Sequence, residues 1–188
     1  MKIIANPLQP GDLIQTHPQR GFWGCAVVLS ARDSTDQFHP MSHIGITTLI
    51  TKQKYPLSSI DPKQLEIVEF SPVIRVAKDE YCQSTEPRKS IGIYTLKSAA
   101  ALKIIGRINP LDIYDKPLSF DVGDGTKGTF PLCGPIPENL GNEAVVAWRL
   151  IHDKDRFDRE KVEARKRFER SEQQRLLDQR TKRKAGGI

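Results

Sequence analysis

The chain has 188 residues, 38% of them hydrophobic and 28% charged, with a formal net charge of +6. That length holds one domain with a real core, or one domain plus an appendage. Between His152 and Ile188 lie 13 basic and 8 acidic residues, so the tail carries +5 and the body only +1, which leaves the body no electrostatic reason to bind nucleic acid.

The opening Met1 to Pro7 has one Lys and an apolar run too short for a signal-peptide core. No stretch approaches the ~20 apolar residues of a membrane span. The chain is therefore expected to stay in the cytoplasm without a membrane partner. Pro10-Gly11-Asp12 is turn chemistry that launches a strand over Leu13 to Thr16. His17 to Gly21 reads as a hairpin loop. Phe22 to Ser30 reads as the return strand, rich in aromatic and β-branched residues. Ala31 to Ser42 is a polar loop, and Ile44 to Ile50 alternates as a strand.

Further strands are expected at Leu65 to Phe70 and at Val73 to Val76. Tyr94 to Leu102 reads as a short helix or, alternatively, Ile91 to Leu96 as a strand. Leu118 to Val122 alternates, and Asp124-Gly125 and Lys127-Gly128 give turn signals. Ala144 to Ile151, with consecutive β-branched residues and Trp148, reads as a last strand. Beyond Asp155, charged helix formers run without Pro or Gly to Arg183, with opposite charges four apart such as Arg156 and Glu160, or Arg165 and Glu169. The sum is an α+β, mainly β chain. It has a small antiparallel barrel or sandwich over residues 1–152 and a long charged C-terminal helix over 153–188.

The chemistry-bearing residues are sparse. Cys25, Cys82 and Cys133 are widely spaced and read as reduced, buried or half-buried thiols. His39 and His43 have a metal-like spacing, but Pro40 breaks the helix that spacing needs and no third ligand is near. The Gly-rich Gly123 to Gly128 lacks the strand–loop–helix context of a phosphate loop. Trp23 and Trp148 read as core or half-buried residues. No catalytic constellation stands out, so no enzyme activity, cofactor or metal is expected.

The body is similar to the immunity protein 26 family of bacterial polymorphic-toxin systems. The likeness rests on Gln9 to Ile14, on Gly21 to Val28 with its aromatic pair, on Ile104-Ile105-Gly106 and on Pro117-Leu118-Ser119-Phe120. The charged C-terminal extension lies outside it. The resemblance implies a non-enzymatic antitoxin whose partner is a cognate toxin domain. Many such toxins are nucleases with basic clefts, and the acidic loop residues Asp33, Asp36, Asp121 and Asp124 are the expected toxin contacts. The rival reading is a small β-barrel that binds nucleic acid nonspecifically through the basic tail. The sequence leaves the oligomeric state open.

Overall fold

A computed structural model describes residues 3–35, 39–55, 59–71, 73–77, 80–83, 86–95, 102–120, 133–135 and 139–185. Its strands are β1 (Asp12–Gln19), β2 (Phe22–Arg32), β3 (Met41–Thr51), β4 (Glu69–Phe70), β5 (Val73–Ala77), β6 (Glu80–Gln83), β7 (Arg88–Lys89), β8 (Ile91–Thr95), β9 (Lys103–Arg107) and β10 (Cys133–Pro135). Two helices follow, α1 (Asn142–His152) and α2 (Lys154–Ala185).

The main sheet has the order β10-β8-β3-β2-β1-β9. Five of its strands run antiparallel, and β10 joins β8 in parallel. The α+β class and the long charged C-terminal helix agree with the sequence reading. The sheet is open, however, and not closed into a barrel. Two small ribbons, β4 with β7 and β5 with β6, stand apart from it.

The turn before β1 fixes the start of the sheet. Gly11 adopts φ +90°, a conformation that an L side chain rarely takes. A Cβ there would also run into the carbonyl oxygen of Ile108. That close approach lets Ile108 N–H donate to Gly11 O at 3.0 Å, while Gly11 N–H donates to Val28 O at 2.7 Å. The Asp12 carboxylate takes Gln9 N–H at 2.8 Å on one oxygen. Its other oxygen takes Nε and Nη2 of Arg107 at 2.9 and 2.8 Å. The motif thus joins β1, β2 and β9.

Both faces of the sheet are covered. On one, Ile14, Ala26, Val28, Ile44 and Ile46 pack with Leu140, Ala144 and Val145. On the other, Leu13, Cys25, Val27 and Ile91 pack with Leu65 and Ile67, and with the partly buried Tyr55 and Tyr114. The strand expected at Ala144 to Ile151 is the helix α1 instead. Leu140, Ala144, Val145 and Trp148 recur at helical spacing and meet the sheet, and that period outweighs the β preference of Val145 and Val146. The strand expected at Leu65 to Phe70 is mostly single bonds. At Ile46, β3 passes from β8 to this segment, with Val68 N–H on Ile46 O at 2.9 Å and Thr48 N–H on Glu66 O at 2.8 Å. Ile91–Thr95 forms the strand alternative of that region. Leu118 to Phe120 is irregular, and Asp121 and Val122 lie outside the described residues.

The chain divides into two units, Met1–Trp148 and Arg149–Ile188. In the second, α2 is lined with ion pairs four residues apart: Lys154–Asp158 at 2.9 Å, Arg156–Glu160 at 2.9 Å, Arg165–Glu169 at 3.0 Å and Arg167–Glu163 at 3.4 Å. Such exposed pairs stabilise a helix by a few tenths of a kcal/mol each. Val162, Phe168, Leu176 and Leu177 are all more than half exposed, as expected for a helix without a continuous apolar stripe.

Asp12→Ala removes the acceptor shared by Arg107 and Gln9. It is expected to cost about 2 kcal/mol of stability, in line with hydrogen bonds to charged groups, and to lower the urea midpoint at unchanged slope. An unchanged midpoint would show that the turn holds without its carboxylate.

Candidate functional site

Of the expected acidic contacts, Asp33 is the one among the described residues. It follows β2, is exposed, and accepts Asn6 N–H on Oδ1 at 2.8 Å. Asn6 in turn donates to Arg32 O at 3.0 Å and Met41 O at 2.7 Å, while Ile4 N–H reaches Ser34 Oγ at 2.6 Å. Asp33 therefore helps lace the N-terminal segment across the far end of the β2–β3 hairpin. Asp36, Asp121, Asp124 and the Gly123 to Gly128 loop lie outside the described residues, as do the side chains of Cys82 and Cys133.

The nucleophile and base candidates inside the body hold strands together. Cys25 is buried, and burial pushes its thiol up to about 12, against the weaker opposing effect of bonds to Tyr55 and Thr47. Thr47 Oγ1 donates to Cys25 O at 2.8 Å, and Tyr55 O–H donates to Gly24 O at 2.6 Å. Burial also raises the Tyr55 phenol, and the neighbouring Cys25 adds to that. A thiol so protonated is not a nucleophile at neutral pH.

His43 is buried on β3, between Ser30 Oγ at 2.7 Å from Nδ1 and Ser119 O at 3.1 Å from Nε2. A carbonyl only accepts, so Nε2 carries the proton and Nδ1 accepts from the Ser30 hydroxyl. The ring of Phe120 lies 4.3 Å away, and the Arg32 guanidinium sits 4.9 Å over that ring. Burial lowers the imidazole below 6.5. His39 is exposed. Among the described residues no group of three His, Cys, Asp or Glu side chains is placed to hold a metal ion.

Two surface features remain. A shallow recess of about 310 Å³ is lined by Glu69, Pro87, Lys89, Ile113, Tyr114, Asp115 and Lys116. Its principal charges satisfy each other: Lys89 bonds Glu69 at 2.8 Å across β4 and β7, and holds that carboxyl below its ordinary range.

The other feature is a corner where β1 turns into β2 and β3 ends. Trp23 pairs with Thr51 across the two strands, which brings Lys52 and Lys54 beside the aromatic residues. Phe22 is buried, while Trp23 and Trp148 are half-buried. Lys52 Nζ stands 3.8 Å over the Phe22 ring and 4.8 Å over Trp148. Lys54 Nζ stands 5.5 Å over Trp23. His17 donates from Nδ1 to Phe22 O at 2.7 Å and lays its ring 4.5 Å from Trp23. Arg20 is exposed in the adjoining two-residue turn. Among the described residues no carboxylate pairs with Arg20, Lys52 or Lys54.

This corner is not legible in the sequence: its residues are scattered from His17 to Trp148, and one of its walls, Ala144 to Ile151, has the local character of a strand. The usable signal was the hairpin itself, which sets Phe22-Trp23 opposite the Lys52-Gln53-Lys54 run. No family model, no curated protein and no solved structure matches the chain.

Two measurements check the interior. Iodoacetamide should leave Cys25 unlabelled in the native protein and label it in denaturant, read by peptide mass mapping; native labelling would mean the thiol is accessible. For His43 the lowered native value means that the unfolded chain binds more protons as pH falls through 6.5. The stability that this group supplies is complete above that pH and is lost below it. Thermal midpoints followed from about pH 7.5 down to about pH 5 should fall, and His43→Gln should flatten that slope.

Proposed function

We propose that this chain is a non-enzymatic immunity protein that binds and neutralises a cognate toxin domain in the cytoplasm of the cell that makes it. The resemblance of Gln9 to Ile14, Gly21 to Val28 and Ile104 to Gly106 to the immunity family motivates the reading. One observation supports it most. Lysines without a carboxylate partner stand over the buried Phe22 and the half-buried Trp23 at one corner of the sheet, whereas Cys25, Tyr55 and His43 are spent holding strands together. Trp and Arg on a rigid frame are the residue types that carry binding energy in protein interfaces. Preorganisation of such a frame reduces the entropic cost of association. Asp33, Asp36, Asp121 and Asp124 are the acidic contacts proposed for a basic cleft of the toxin.

The test is a pull-down of the tagged full-length chain from its own lysate, with and without nuclease. It starts at ~0.15 M salt, where exposed charges are already screened beyond about 8 Å, and continues at higher salt. One protein partner that persists through both treatments is the expected result. Recovery of nucleic acid alone, released as salt rises, would overturn the reading in favour of the basic helix α2 as the working element.

A further inference from the structure

We infer that the corner built by Arg20, Lys52 and Lys54 around Trp23, Phe22 and Trp148 is a docking surface for an acidic, carboxylate-rich segment of a protein partner. The inference rests on the reading of the chain as a protein-binding module and names the surface and the chemistry of what it meets.

Charge is the first argument. Three cations gather at one end of a sheet, and no carboxylate among the described residues pairs with them. Elsewhere in the body Lys89 is neutralised by Glu69 and Arg107 by Asp12. Lys63, Arg88, Lys103 and Lys116 also stand without a carboxylate among the described residues, but they are scattered, whereas Lys52 and Lys54 are held together over aromatic rings. A cation held over an aromatic face keeps its full charge, because the ring supplies a quadrupole and no counter-ion. Lys52 over Phe22 and Lys54 over Trp23 are thus positioned without being neutralised.

Rigidity is the second argument. The turn that carries both lysines is pinned from three sides. Thr51 Oγ1 donates to Gln53 O at 2.7 Å, Tyr55 O–H donates to Gly24 O at 2.6 Å, and Gln15 Nε2 donates to Tyr55 O at 3.3 Å. Phe22 and Trp148 meet edge to face at 5.5 Å and 74°. Lysine entropy that is already reduced before binding is not lost again on binding.

The state of the ring faces decides between a protein and a nucleic acid. A single strand binds such surfaces by stacking bases on open aromatic faces. Here His17 lies over Trp23 at 4.5 Å and 32°, and Lys52 caps Phe22 at 3.8 Å. The exposed Arg20, Lys52 and Lys54 offer guanidinium and ammonium, which attract carboxylates and phosphates alike; the covered ring faces, which leave no platform for a base, favour the carboxylates of a protein segment.

Trp23 and Trp148 are the only two tryptophans in the chain, so tryptophan emission, excited selectively at wavelengths where the four tyrosines do not absorb, reports on this corner. The probes are a Glu-rich decapeptide and an oligothymidylate of matching charge, each titrated at ~0.05 M salt so that screening does not hide the contact. A saturable fluorescence change with the peptide is expected. Two lost ion pairs should make it about tenfold weaker in the double variant Lys52→Gln/Lys54→Gln. It should be unaltered in Arg165→Gln/Lys166→Gln, which changes exposed cations of α2 instead. No response to the peptide, equal binding by the Lys52→Gln/Lys54→Gln variant, or a stronger response to the oligonucleotide would each overturn the inference. The pull-down separates this from the broader reading. A protein partner captured equally by wild type and by Lys52→Gln/Lys54→Gln would overturn the corner and keep the protein-binding function. A wild type that captures no protein would overturn that function while the titration still decides the corner.

Discussion

A carboxylate with only 2% of its side chain exposed costs several kcal/mol unless it is neutralised and hydrogen-bonded. Asp12 meets that demand with Arg107, 95 residues further along the chain. The other geometry follows from this tie. With Arg107 held, Asp12 stands opposite it in the β1–β9 register, and Ile108 can donate to Gly11. Gly11 must then have φ +90° and no Cβ, and its own N–H reaches Val28 on β2. Three strands are set by one short turn. Because the turn places Leu13 toward one core and Ile14 toward the other, it also sets which residues line each face.

This explains what a Pro-Gly-Asp turn does in the present chain. Gly11 permits the bend and the close approach of Ile108, and Asp12 anchors a distant edge strand. The motif is architecture, and its recurrence at the head of a strand is no evidence of chemistry at that place. The same holds for four other polar side chains of the interior. Thr47 and Tyr55 each donate to a carbonyl of β2, Ser30 donates to His43 Nδ1, and His43 donates to Ser119 O, which satisfies them at the cost of making them unavailable to a substrate.

The strands were legible because their signal is local. Leu13 to Thr16, Phe22 to Ser30 and Ile44 to Ile50 are apolar, β-branched runs bounded by turn residues, and each lies inside an observed strand. The helix α1 reads as a strand because Val145 and Val146 favour strands locally, whereas the period that decides the matter extends back to Leu140. The segment Leu65 to Phe70 reads as a full strand because Leu65, Ile67, Val68 and Phe70 are apolar. Apolar content reports which side chains are buried, not how many ladder bonds the backbone makes, and here β3 offers only a few. The candidate site was illegible for a different reason. Lys52 and Lys54 look like ordinary loop charges until the Trp23–Thr51 pairing puts them over rings.

The charge balance of the body conceals this arrangement. A net of +1 reads as featureless, yet a near-neutral surface still recognises a partner if its charges are sorted in space. In this body the sorting is by partner. Where acids and bases are adjacent, as at Glu69 and Lys89 in the wall of the recess, they neutralise each other. Where aromatic rings stand in for acids, as at Lys52 and Lys54, the cations stay whole. The aromatic residues at the β1–β2–β3 corner therefore have two roles. They close the edge of the core, and they keep positive charge fixed in place without quenching it, which a carboxylate could not do.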